Sequence, residues 1–235
     1  MSWMNPNHIK PQRNIYGTPE YEAYWQAQKA PFLGIPHDEE KTTPLSDGYA
    51  LHFKNYHTIY GSADYAWVTL LKDNTPVYEY ECIRPHYHFS KLIKHSNGRL
   101  YYLFRLDAQG YSLLDIEAGK AWHYIPQSML EDPDGESLFL YNLQYNPHRE
   151  LLIASCCYWG PVDRPILFDV SSPEQLPYPS TDIPPTDDYM NAKEVTRTDW
   201  SGDDIIYSYN DVNEEGKEIL LRLTPDDYLP WLAQG

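Results

Sequence analysis

The chain is predicted to be all-β, built from repeated antiparallel sheets of three to four strands with a short helix at each end. Three observations predict it. Apolar and aromatic residues alternate at the period of a strand in Phe139, Tyr141, Leu143 and Tyr145. Clusters of Gly, Pro, Asn and Asp break such runs at short intervals. The same strand, turn, strand, loop, strand order then recurs, with matched inner strands starting at Leu100, Leu151 and Ile205, about 50 residues apart, near the spacing of propeller blades.

The clearest copy runs from Leu138 to Val170. After Tyr145, Asn146-Pro147-His148 turns the chain, because proline fixes φ and the asparagine side chain can bond the following backbone. Leu151 to Tyr158 is a nearly continuous apolar run, as an inner strand buried on both faces requires. Gly160, Pro161 and Asp163 interrupt it before Ile166, Leu167, Phe168 and Val170 resume. Upstream, Lys91–His95, Leu100–Leu106 and Tyr111–Ile116 repeat the order, with Trp122–Tyr124 as a fourth strand. Downstream, Val195–Trp200, Ile205–Tyr209 and Ile219–Leu223 repeat it again.

Thr198 to Tyr209, TDWSGDDIIYSY, resembles the blade entry of β-propeller proteins: an aromatic, a small polar turn with glycine, then a buried strand. Ser96-Asn97-Gly98 followed by Leu100 is similar, whereas Asn146-Pro147-His148 lacks the glycine. The resemblance implies a small, four-unit propeller-like domain and carries over no functional residue.

Residues 1–45 are read as an N-terminal arm and helix, and 46–235 as the repeated sheets of one domain, a length that needs neither disulfide nor metal for a core. Thr18 is a helix cap, Pro19 suits the first helical position, Glu20 and Glu22 favour the positive end of the dipole, and Ala30-Pro31 ends the helix. Tyr21, Tyr24 and Trp25 fall on one face of it. From Phe32 to Asp47 the chain reads as a loop. Tyr49–His57, Tyr65–Leu71 and Val77–Ile83 form the first sheet, with Asp73-Asn74 as a hairpin turn. This sheet fits the repeat spacing poorly and reads as a closing or capping sheet. Thr224-Pro225-Asp226-Asp227 starts a short terminal helix.

The 18 basic and 34 acidic residues leave a net charge of −16, which disfavours nucleic acid and anionic lipid. No apolar run is long enough to span a bilayer, and the N-terminus lacks an apolar signal core, so a cytoplasmic protein without membrane contact is expected. Three cysteines, Cys82 and the adjacent Cys156 and Cys157, fit reduced thiols.

Motifs for a nucleophile elbow, a phosphate loop, a dinucleotide fold and a zincin are absent, so no catalytic residue and no cofactor is assigned. Asp115, Asp169 and Glu79 flank strands and could act as paired carboxylates, although such groups more often bond a turn backbone. Cys82, His86 and His88 form the best metal-ligand candidate, two imidazoles on a strand face with the thiol as a third ligand. Ser171–Met190 is rich in proline and acid and is the longest irregular stretch, where contact surfaces concentrate. The expected function is therefore non-enzymatic binding by an acidic, aromatic surface, through Tyr158, Trp159, Asp163, Arg164, Tyr178, Asp182 and Asp187. The partner would be a basic protein, held as an immunity-type protein neutralises a toxin, or scaffolded. The alternative is a carbohydrate-active enzyme or glycan-binding module using the same rings and carboxylates.

Overall fold

The computed structural model describes residues 12–57, 63–85, 88–107, 109–131, 139–157, 163–183, 195–210 and 218–233. The described chain is mostly β, in four open antiparallel sheets whose strands are consecutive in sequence. It divides into two compact units, Asn14–Glu131 and a second that holds the described residues after 131. No described helix is long and apolar enough to cross a membrane.

In the first unit, helix α1 spans Pro19–Lys29, with the Thr18 hydroxyl accepting the Tyr21 amide at 3.4 Å. Proline at its start and acids in its first turn are the local reasons it begins there. A 3-10 turn at Ala30–Phe32 follows. The first sheet contains β1 (Glu39–Pro44), β2 (Tyr49–His57), β3 (Ala63–Lys72) and β4 (Thr75–Ile83), in that order. Strand β1 lies inside the stretch read as a loop, because its residues EEKTTP carry no apolar alternation and are largely exposed on a sheet edge. Asp73 and Asn74 turn β3 into β4 with φ of 48° and 65°, the double left-handed geometry of a tight hairpin.

The second sheet is β5 (Ser90–Lys94), β6 (Leu100–Phe104), β7 (Tyr111–Asp115) and β8 (Lys120–Tyr124). Every residue of β7 is buried, as its inner position demands. Gly110 precedes it at φ 87°, where a Cβ would collide with the Tyr124 carbonyl. Tyr80 of β4 packs on Phe104 of β6 with ring centroids 4.4 Å apart, and Tyr102 stacks on Phe104 at 5.0 Å. The core between the two sheets is therefore rich in aromatic rings set among aliphatic side chains. The short helix α2 (Ser128–Glu131) closes the unit and buries Met129.

In the second unit, the third sheet contains β9 (Phe139–Asn146), β10 (Leu151–Cys157), β11 (Asp163–Asp169) and β12 (Ser180–Asp182). Asn142 takes φ 48° where the β9–β10 register shifts, a bulge in the alternating strand. The Asn146 carboxamide oxygen accepts the His148 amide at 2.9 Å, which builds the turn its neighbours predict. Strands β13 (Val195–Ser201), β14 (Asp204–Asn210) and β15 (Glu218–Leu223) form the fourth sheet, followed by helix α3 (Pro225–Leu232). Tyr228 of α3 is buried and donates its hydroxyl to the Asp203 carbonyl at 2.7 Å.

Candidate functional site

The site begins with a run of four residues on β4, Tyr78-Glu79-Tyr80-Glu81. Alternation on a strand sends the two tyrosines to one face and the two glutamates to the other. The tyrosine face meets β6, where Phe104 sits against both rings. The glutamate face meets α1, and Trp67 of β3 stands directly opposite Glu81 in the register. A cleft of about 510 Å³ opens along this strand, lined by Tyr16, Trp25, Lys29 and Trp67 together with the four β4 residues, and also by Tyr21, Glu22, Gln26, Leu106 and His123.

Glu81 is the best-held carboxylate of the cleft. Its Oε1 accepts the Tyr65 hydroxyl at 2.6 Å, its Oε2 accepts the Trp25 indole at 3.2 Å, and Lys29 Nζ lies 3.1 Å from Oε2. Burial alone would raise its pKa, but the Tyr65, Trp25 and Lys29 bonds outweigh it and hold the group below the usual carboxylate range. Among the described residues Glu79 accepts only the Thr69 hydroxyl, at 3.2 Å, and is exposed, as is Glu22 on the first turn of α1.

The rings are disposed around these acids. Tyr16 is 42% exposed and lies on the His123 ring with centroids 4.2 Å apart. Burial, then the Glu22 charge, raises the Tyr16 pKa, and burial keeps His123 neutral by lowering its pKa to about 4. Trp67 is 38% exposed at the cleft wall. Tyr21 is 1% exposed, and its hydroxyl has no hydrogen-bond partner among the described residues. Such an arrangement suits a cation: aromatic faces and carboxylates both attract positive charge, and partial desolvation strengthens both.

Of the candidate site residues singled out in the sequence, Glu79 lines the cleft and the other described ones do not. Tyr158, Trp159, Asp187 and His86 fall outside the described residues. Asp163 and Arg164 begin β11. Tyr178 is buried and donates its hydroxyl to the Pro173 carbonyl at 2.8 Å, and Asp182 ends β12 half-buried. Of the metal candidates, Cys82 is fully buried, its thiol pushed up to about 12 chiefly by burial. His88 bonds the Tyr80 hydroxyl at 2.7 Å, and burial, aided by the Arg105 charge, lowers its pKa to about 3. Among the described residues no three His, Cys, Asp or Glu side chains group as a metal site requires.

The three strand-flanking carboxylates separate by role. Asp115 is buried, ion-paired to Arg99, and accepts the Ala118 amide at 2.9 Å; Asp169 accepts the Ser171 amide at 2.9 Å. Both therefore hold turns. Only Glu79 lines the cleft. The sequence signal for the cleft was the alternating Tyr-Glu-Tyr-Glu run, which gives one strand an aromatic face and an acidic one.

No protein-family model matches the chain, and no curated protein matches it. Among solved structures, it resembles an acylaminoacyl peptidase from Pyrococcus horikoshii at 9% identity and a TM-score of 0.41, over 81% of this chain and 34% of the peptidase. The chain thus spans about a third of that protein's length. It also resembles an endo-arabinase from Bacteroides thetaiotaomicron at 10% identity and a TM-score of 0.31, over 79% of this chain and 73% of the arabinase.

Proposed function

We propose that this chain is a non-enzymatic binding protein that neutralises or scaffolds a basic protein partner by taking its cationic side chains into the cleft between α1 and β4. The observation that carries the reading is the composition of that cleft: Glu22, Glu79 and Glu81 face one lysine, among the rings of Tyr16, Trp25, Trp67 and Tyr78. A net charge of −16 adds long-range attraction for a basic partner. Four successive sheets of sequence-adjacent strands are consistent with a small propeller-like repeat as the scaffold.

Calorimetric titration with a short arginine-rich peptide tests the reading. Binding is expected to weaken several-fold from 50 to 300 mM salt, and to weaken in Glu79→Gln and Trp67→Ala. Glu117→Gln, an equal charge change at an exposed turn outside the cleft, should leave it unchanged. Equal losses in both glutamate variants would reduce the effect to general charge attraction and contradict the reading.

The exposed face of Trp67 beside Glu79 also suits a sugar ring, which favours glycan binding or carbohydrate chemistry as the second reading. Oligosaccharide binding that is indifferent to salt and lost in Trp67→Ala would establish it over the first.

A further inference from the structure

Strand β4 is an edge strand, and its edge borders the cleft. A strand presenting a face would contribute alternate residues, whereas Tyr78, Glu79, Tyr80 and Glu81 line the cleft consecutively. Two backbone bonds fix which way the amides point. The Arg84 amide donates back to the Asp64 carbonyl at 2.8 Å, and the Ile83 amide donates away from β3 to the Leu106 carbonyl at 2.7 Å. Antiparallel ladders alternate in this respect, so Cys82, Tyr80 and Tyr78 turn their backbone groups toward β3. Glu81 and Glu79 turn theirs toward the cleft. Leu106 supplies the first rung along this edge, and among the described residues no backbone bond continues it past Ile83.

The two walls beside that edge differ in chemistry. On one side stand Trp67, Glu79, Glu81 and the α1 residues Trp25 and Lys29; on the other stand Tyr78, Tyr80, Leu106 and His123. An added strand would send alternate side chains to an acidic wall and to a mostly aromatic one.

We infer that the basic partner docks by an extended segment alternating basic and apolar residues, which adds to the free edge of β4 as a further strand. Main-chain bonds to Glu79 and Glu81 supply affinity, and the basic side chains on the carboxylate wall select the segment. The inference rests on the cation-binding reading and names its mode. It commits to a protein segment because a polypeptide alone offers the repeating donors and acceptors that this edge matches.

The test uses the unmodified protein and a capped heptapeptide alternating valine with arginine. Two variants of the peptide carry N-methyl groups, one on two arginine amides and one on two valine amides. Only one set of amides faces β4 in an added strand, the arginine set if the docking is antiparallel. Methylating that set is expected to weaken binding at least tenfold, and methylating the other set less than twofold. Salt-sensitive binding of the parent peptide with equal loss in both variants would overturn strand addition and leave the cation reading intact. A parent peptide that does not bind would overturn both.

Discussion

The indole N–H of Trp25 donates to Glu81 Oε2 at 3.2 Å, tying α1 to an edge strand 56 residues further along the chain. The same carboxylate takes Tyr65 and Lys29, so one acid fixes the helix, the sheet and the floor of the cleft. Its role is thus both structural and electrostatic.

Glu81→Gln keeps the shape but removes the charge that three donors share. The folded state is expected to lose about 1–3 kcal/mol, since Lys29 is left half-buried without its counter-ion. Urea denaturation measures it, and a change below about 0.5 kcal/mol would show that the bonds to water replace these without cost.

Acid should destabilise the first unit through its histidines. His88 and His123 are held neutral, with pKa values lowered to about 3 and about 4, whereas an unfolded histidine titrates near 6.5. The unfolded chain therefore binds more protons in that window, so this contribution is complete above about pH 6.5 and falls as pH drops toward 3. His88→Gln, which can still bond Tyr80, should reduce the slope of stability near pH 5 by about 1.4 kcal/mol per pH unit. An unchanged slope would place the titrating groups elsewhere.

Cys82 should be unreactive in the native protein. Its thiol is fully buried and pushed up to about 12, so little thiolate exists at pH 8. Iodoacetamide labelling followed by peptide mapping should modify Cys82 only after unfolding. Rapid native labelling at that position would contradict its burial.

Gly110→Ala is expected to cost about 2–4 kcal/mol, because the left-handed φ and the Tyr124 carbonyl both oppose a Cβ. Thermal melting compared with Gly98→Ala, which meets only open space, separates the clash from the strain of φ.

Helix α1 and the β3–β4 hairpin were legible in the sequence because Thr18, Pro19 and Asp73-Asn74 act on their immediate neighbours. The buried inner strand β10 was legible as a nearly continuous apolar run. Strand β1 was not, since EEKTTP is held by its ladder to β2 and buries almost nothing. The cleft escaped for a related reason. Trp25, Lys29 and Glu81 are separated by half of the first unit and meet only through packing. Composition drew attention instead to residues 158–187, but ring content does not report exposure: Tyr178 is buried against its own loop.

The most direct test of the account is a nitrogen–proton chemical-shift titration with the parent arginine–valine heptapeptide. Saturable shifts of the Glu79 and Glu81 amides and of the Trp25 and Trp67 indole N–H groups are expected, with residues 158–187 unmoved. Shifts centred on 158–187, or weak shifts spread over every acidic surface, would contradict a binding site at the edge of β4.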